Sequence, residues 1–374
     1  MPAKKTTKES ISEELKSELH HSDLYPWQLA DWQALRQYQT NNALPHAILL
    51  TGKKGLAKLQ LAALWAKTLL CESTLTAELS SNESKACGSC PACALYQAET
   101  HPDFLFVEPS EQGKAIKVDQ IRHIVEYVSL TRSRGSIRVI IISPAETMNV
   151  NAANSLLKTL EEPPENTLLI LVSSTPDVLP ATIRSRCQHF VVSAPTSDVL
   201  STWLAQNNQN TAEERAFAVS LSENMPLNAD FYLKSEIYAV NSDLLNDWQL
   251  LASGQAKPSK IAEKWLKQPD NIPIKLVYTW IVDMIRYRSV AHDSVYQSSA
   301  SETDDNVREL FYYKRNQQLD KLAASIPLKR LFGIYDKVID IIKLGRTSVN
   351  DQLQLESLLI QWSLIAQPSS AQSK

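Results

Sequence analysis

Between Tyr25 and Ser193 short apolar runs recur along the chain, separated by amphipathic stretches. They are AILLTG at 47–52, DFLFVEP at 103–109, RVIIIS at 138–143, TLLILVSS at 167–174 and HFVVS at 189–193. Runs that are apolar nearly throughout suit strands covered on both faces by other elements. Helical periodicity lies between them at 58–70, 118–129 and 150–161, so the pattern predicts alternating β and α elements around a parallel sheet. After Ala194-Pro195 the strand signals stop and the remainder reads as helices. Ile274, Val277, Ile281, Met284 and Ile285 fall on one helical face. Leu331, Ile334, Tyr335, Val338, Ile341 and Ile342 repeat that stripe over 328–343, and Leu353, Leu355, Leu358 and Leu359 carry a third over 351–365. The expectation is α/β plus all-α: a parallel-sheet domain followed by a helical bundle.

Two polar stretches fall outside this pattern. Residues 1–22, with SEELKSEL as a frayed helix, read as a tail ahead of the folded body, and SSASETDDN at 298–306 reads as a loop between helices. At 374 residues the chain exceeds the size at which single cores stop growing, so two or three domains are expected. A net charge of -3 argues against a free-standing nucleic-acid binder, whose affinity comes from excess Lys and Arg. The chain has no run of eighteen apolar residues, and its polar start lacks the apolar stretch of a signal peptide, so a cytoplasmic protein is expected.

The cysteines change the picture more. Four of the five fall between Cys71 and Cys93, which is not the scatter of a disulfide framework; Cys187 stands apart. Cys71, Cys87, Cys90 and Cys93 have the spacing CX15CX2CX2C, and CX2C turns let neighbouring thiolates face one tetrahedral ion. A closed, structural zinc knuckle is the reading, with four reduced cysteines packed without metal as its alternative. The residues between the thiols, Gly88-Ser89 and Pro91-Ala92, include no basic or aromatic side chain for nucleic acid.

AILLTGKKGLAKLQLA sets a strand, a glycine turn and a helix in the order a phosphate-binding loop requires. The loop needs GxxxxGK[ST]. Gly52 and Lys58 fit and Gly55 adds a turn glycine, but Ala57 stands in place of the second glycine and Leu59 in place of the magnesium-binding hydroxyl. Two readings remain: weak nucleotide binding through Lys58 and the helix N-terminus, or a retained fold with a dead site. The acidic pair that would orient magnesium and water is missing too, because RVIIISPAETMN closes its strand with Ser143 and Pro144, and Glu146 lies two residues out of place.

The segment NAANSLLKTLEEPPENTLLILVSSTPDVLPATIRSRCQHF, Asn151 to Phe190, is the most specific in the chain. Its NSLLKTLEEPP, the SST after the next strand, the LP before a short helix and the triplet Ser185-Arg186-Cys187 resemble, in order and spacing, the clamp-loader branch of the AAA+ superfamily. YPW at Tyr25–Trp27, HPDFLFVEP, KVDQIRHIVEYV at 117–128 and the late VNDQLQLESLLIQW at 349–362 agree with it. The likeness is strong over 24–195 and weak beyond. It implies an AAA+ P-loop-type domain at 24–194 carrying the knuckle at 71–93, a small helical lid at 195–240, and a helical collar for oligomerisation at 243–366, between polar tails at 1–23 and 367–374. It also implies that Arg186 is an arginine finger acting in trans on ATP held by a neighbouring subunit, a job suited to a planar, permanently charged guanidinium.

A retained finger beside a broken loop and a broken acidic motif is the pattern of the stationary, non-motor member of bacterial DNA polymerase III clamp loaders. The partners implied are ATP-binding motor subunits of gamma/tau type and the opposing delta subunit, with the sliding clamp and primed DNA met by the whole complex and no membrane involved. No ATP of its own and no enzymatic activity alone are expected, within a DNA-directed DNA polymerase holoenzyme. The alternatives are an ATP-hydrolysing motor subunit and a zinc-dependent DNA-binding protein. Two departures from the family stand out: the Cys71 to Cys87 spacing is longer than usual, and ENMPLNADF at 223–231 lacks the arginine with which motor subunits sense nucleotide.

Overall fold

The computed structural model describes residues 19, 23–41, 43–73, 85–111, 113–129, 137–268, 271–292, 317–344 and 351–366. Most of the polar tail, residues 74–84 of the cysteine-bearing excursion, the SSASETDDN stretch and residues 367–374 lie outside them. Contacts divide the chain into two compact units, Met1–Trp203 with Met225–Asn228, and Leu204–Asn224 with Ala229–Lys374.

The first unit is built on five strands, β1 Ala47–Thr51, β2 Phe104–Val107, β3 Arg138–Ile142, β4 Thr167–Ser173 and β5 Gln188–Val191. They are parallel and ordered β2-β3-β4-β1-β5. Successive side chains of a strand point to opposite faces. Ile48, Leu50, Val139, Ile141, Leu168 and Ile170 accordingly join a core with Trp32 and Leu35 of α1 (Leu29–Thr40) and Leu61 and Trp65 of α2 (Lys58–Leu70). Leu49, Ile140, Ile142, Leu169 and Leu171 join another, with Ile121 and Ile124 of α4 (Val118–Ser129) and Ala152 and Leu156 of α5 (Val150–Glu161). Both faces are covered, which is why the three central strands are apolar at nearly every position. Between α2 and β2 lies the short helix α3, Pro91–Gln97, and between β4 and β5 lies α6, Ala181–Arg184.

A charged pair sits inside this unit. Arg138 Nη2 lies 3.7 Å from Asp103 Oδ1, both residues are buried, and Arg138 Nη1 donates to the carbonyls of Tyr127 at 2.8 Å and Val128 at 3.0 Å. These contacts close the C-terminal end of α4 onto the start of β3, where a cation also meets the negative end of the helix.

Helices α7 (Ser197–Asn207), α8 (Ala212–Leu221) and α9 (Pro226–Lys234) follow β5 in the chain. In the second unit α10 (Ile237–Ala252), α11 (Pro258–Trp265), α12 (Ile272–His292), α13 (Gln317–Ser325), α14 (Leu328–Leu344) and α15 (Asp351–Ala366) pack as helices. Their core holds a tryptophan cluster. The rings of Trp248 and Trp362 stack at 4.1 Å, Trp265 and Trp280 flank Trp248 at 6.2 and 5.8 Å, and Trp362 Nε1 donates to the Trp248 carbonyl at 2.9 Å. Most of the expected stripes are buried. Ile285 and Tyr335 are half-buried, and Ile342 and Leu353 are exposed by 45% and 64%. At about 3.6 residues per turn, Leu355, Leu358, Leu359 and Trp362 share the inward face of α15 and Leu353 falls nearly opposite Leu355. Among the described residues no helix is long and apolar enough to cross a membrane.

Candidate functional site

The loop after β1 keeps the backbone form of a phosphate loop with altered chemistry. Gly52 and Gly55 have φ of 148° and 98°, and Ala57, at the position of the missing glycine, holds the left-handed conformation at φ 61° and ψ 37°. An L-residue with a Cβ resists that conformation by about 1 kcal/mol, so neighbouring contacts must hold it. They are on hand: Gln28 Nε2 donates to the Ala57 carbonyl at 2.8 Å, Trp27 Nε1 donates to the Leu56 carbonyl at 3.2 Å, and Ala57 is buried. Trp27 is itself fixed by stacking on Tyr25 at 4.6 Å and by the edge of Trp203 at 5.1 Å.

Lys53 and Lys54 of the loop are exposed, whereas its last lysine turns into the protein. Lys58 is buried, and its Nζ donates to the Lys53 carbonyl and the Ser174 Oγ, each at 2.9 Å. The backbone N–H of Ser174 donates to Glu146 Oε1 at 3.0 Å. Leu59 is buried in the same core as Leu61 and Trp65. Over Gly55 lies Asn228, whose side chain would stand 3.0 Å from a Cβ added there; Asn228 Nδ2 donates to the Lys54 carbonyl at 3.4 Å and the Leu227 N–H to the Gly55 carbonyl at 3.1 Å. Ser143 and Pro144 close β3 through a cis peptide, and among Ser143, Pro144 and Glu146 the carboxylate of Glu146 is the acidic group at this strand end.

The four cysteines converge. Their sulfurs all lie within 4.8 Å of one another, with Cys71 Sγ 3.6 Å from Cys87 and 3.8 Å from Cys90. A tetrahedral ion with metal–sulfur bonds of about 2.3 Å needs sulfur–sulfur edges of about 3.8 Å, so the set fits a structural metal such as zinc. Cys71 sits at the end of α2, while Cys90 caps α3, its sulfur accepting from the Cys93 N–H at 3.5 Å ahead of Pro91. Further N–H groups converge on the sulfurs, from Cys87 to Cys71 at 3.4 Å and from Cys90 to Cys87 at 3.3 Å. Hydrogen bonds from the Ser73 hydroxyl, then from the backbone of Ser89 and Cys90, pull the Cys87 thiol down to about 5, whereas burial pushes Cys93 up. Tyr96 anchors α3 against α2 by donating to the Ala63 carbonyl at 3.2 Å and packing on Phe104 at 4.6 Å. Cys187 is buried in the sheet core, away from this group.

Arg186 follows α6 at the edge of the domain. Its Nη1 donates to the Thr182 carbonyl at 2.9 Å and its Nη2 meets Glu161 Oε1 at 2.7 Å, with both side chains partly exposed. An ion pair this open to solvent contributes on the order of 0–1 kcal/mol. Neighbouring Arg184 is occupied separately, 3.3 Å from Asp177. Neither Ser174, which takes the loop lysine, nor Glu161, which meets Arg186, stood out in the sequence, although both fall in the SST and LEEPP motifs that carried the resemblance.

A parallel sheet in the order β2-β3-β4-β1-β5, with a glycine-bearing loop between its β1 strand and a long helix, defines an AAA+ P-loop-type domain, here joined to a helical unit. Comparison with known proteins narrows this. A family described as DNA polymerase III, delta subunit, matches residues 27–196. DNA polymerase III subunit delta' of Pseudomonas aeruginosa is 34% identical over 354 residues, covering 93% of this chain and 99% of that protein. The subunit delta' of Escherichia coli K12 is 32% identical over 203 residues, 54% of this chain and 58% of that protein. Among solved structures, a DNA polymerase III gamma subunit-related protein from Thermotoga maritima aligns over 91% of this chain and 99% of its own at 16% identity, with a TM-score of 0.43. The chain belongs to the DNA polymerase III subunit delta' family.

Proposed function

We propose that this chain is the stationary, non-motor subunit of a DNA polymerase III clamp loader in the cytoplasm. It assembles with ATP-binding gamma/tau-type subunits and the opposing delta subunit, and the complex places the sliding clamp on primed DNA. In this reading residues 24–194 form the AAA+ domain, 195–240 a lid, and 243–366 the collar that joins the subunits.

The observation that carries the reading is the inward turn of Lys58. A working phosphate loop presents its lysine to the β and γ phosphates and its hydroxyl to magnesium. Here the lysine donates to Lys53 and Ser174, and the hydroxyl position is a core leucine. Gly52, Gly55 and Lys58 are then remnants that shape the loop, and the chain neither holds nor hydrolyses ATP.

Arg186 supplies what the subunit gives to hydrolysis. At the domain edge its guanidinium can donate N–H groups to a γ-phosphoryl group held by the adjacent subunit and offset the charge that develops there. Cys71, Cys87, Cys90 and Cys93 hold a zinc ion that cross-links the excursion between α2 and β2 and has no part in catalysis.

The test is DNA-stimulated ATP hydrolysis by the reconstituted clamp loader with wild-type chain or Arg186→Ala, together with ATP binding to the chain alone. Loss of part of the turnover with assembly intact, and no binding by the isolated chain, is the expected result. Unchanged turnover, or tight ATP binding by the chain itself, would replace this reading with that of a motor subunit.

A further inference from the structure

Glu161 sits in the last turn of α5, where the exposed carbonyls of the helix already make the potential negative. A carboxylate there works against the helix; lysine or arginine is the residue that would stabilise this end. Its pairing with Arg186 is partly exposed, so the gain to folding is slight as well. The contact is nevertheless short, 2.7 Å, and is made to Nη2 while Nη1 is held by the Thr182 carbonyl at 2.9 Å. Two anchors, one from α5 and one from α6, fix the plane of the guanidinium. Only part of the five-donor fork is engaged, so N–H groups are left over for a phosphoryl oxygen.

We propose that Glu161 is a positioning residue for Arg186, holding the finger in the orientation in which it meets the neighbouring subunit's ATP. This rests on the finger reading of Arg186. A long arginine side chain that docks from a single held conformation loses less rotamer freedom on the way to the transition state, and the benefit belongs in kcat. Because the triphosphate is bound by another subunit, the KM for ATP should not move.

The experiment is a double-mutant cycle in the reconstituted clamp loader, following DNA-stimulated ATP turnover with assembly checked by size exclusion. Glu161→Ala should lower the Arg186-dependent part of kcat by about three- to ten-fold without changing KM, and should have no further effect in an Arg186→Ala background. Glu161→Gln, which keeps an acceptor oxygen at the same reach, should retain most of the turnover. An equal loss in both backgrounds would make Glu161 merely structural and overturn the proposal. Unchanged or faster turnover in Glu161→Ala would also overturn it, the latter by showing that the pair restrains the finger. If Arg186→Ala alone leaves turnover unchanged, the finger reading fails first and takes this proposal with it.

Discussion

The ammonium of Lys58 donates to the hydroxyl of Ser174 at 2.9 Å, joining the loop after β1 to the end of β4 across 116 residues of chain. In a nucleotide-binding protein that lysine would face phosphate. Here it also donates to the Lys53 carbonyl at 2.9 Å, a bracing role inside the domain.

That role makes Ala57 a testable position. Ala57→Gly relieves left-handed strain of about 1 kcal/mol, against the extra unfolded-state freedom that glycine brings, about 0.4–1 kcal/mol. Stability should therefore change by less than about 1 kcal/mol in thermal denaturation. Calorimetry should still detect no ATP binding, because Leu59 and the Lys58 contacts remain.

The cysteine cluster predicts one zinc per chain, measurable by elemental analysis and by release to a chromogenic chelator. Cys93→Ala removes a buried ligand and should abolish that stoichiometry. Its melting temperature should fall by roughly 5 °C or more, and a strong chelator should destabilise the wild-type chain in the same direction.

Arg138→Met should cost about 3–5 kcal/mol in urea unfolding, because it leaves the Asp103 carboxylate in the core without the guanidinium beside it. Replacing both, as Asp103→Leu with Arg138→Met, should recover much of that loss. A double variant as unstable as the single one would place the cost in the lost contacts to the Tyr127 and Val128 carbonyls instead.

Asp283, on α12, has its carboxyl pushed up to about 6, chiefly by burial, with Arg286 opposing and Asp320 adding to the rise. A folded-state pKa above the unfolded one means that the folded chain binds the proton more tightly. Stability therefore falls as pH rises from about 4 to about 6 and stays lower above that window. Asp283→Asn should remove this slope and stabilise the chain at pH 7.5 by roughly 2 kcal/mol, read from denaturant midpoints at pH 4.5 and 7.5.

Much of the architecture is legible in the order of residues. The five strands and the helices at 58–70, 118–129 and 150–161 fall where the apolar runs place them, because a sheet covered on both faces tolerates few polar positions. The helical stripes were less reliable at their ends. Ile342 fits the periodicity yet is exposed, since periodicity shows that positions share a side of a helix and not how wide a band of that side is covered, whereas Leu353 lies nearly opposite Leu355 and does not belong to the buried stripe.

The chain's own order of residues determined which chemistry is possible: four thiols at CX15CX2CX2C, a loop lacking its second glycine and its hydroxyl, and an arginine after a short helix. These are statements about residue identity, and no fold can restore a missing functional group. Tertiary structure alone decided what each group does with its partners. It turned Lys58 toward Ser174, laid Asn228 over Gly55, set Glu161 against Arg186 and brought Cys71 within 4 Å of Cys87. Each of these pairs is separated along the chain and brought together by packing of the sheet, its helices and its loops. Hydrogen bonds and ion pairs act over a few ångströms, and that distance is settled only when the whole domain has closed.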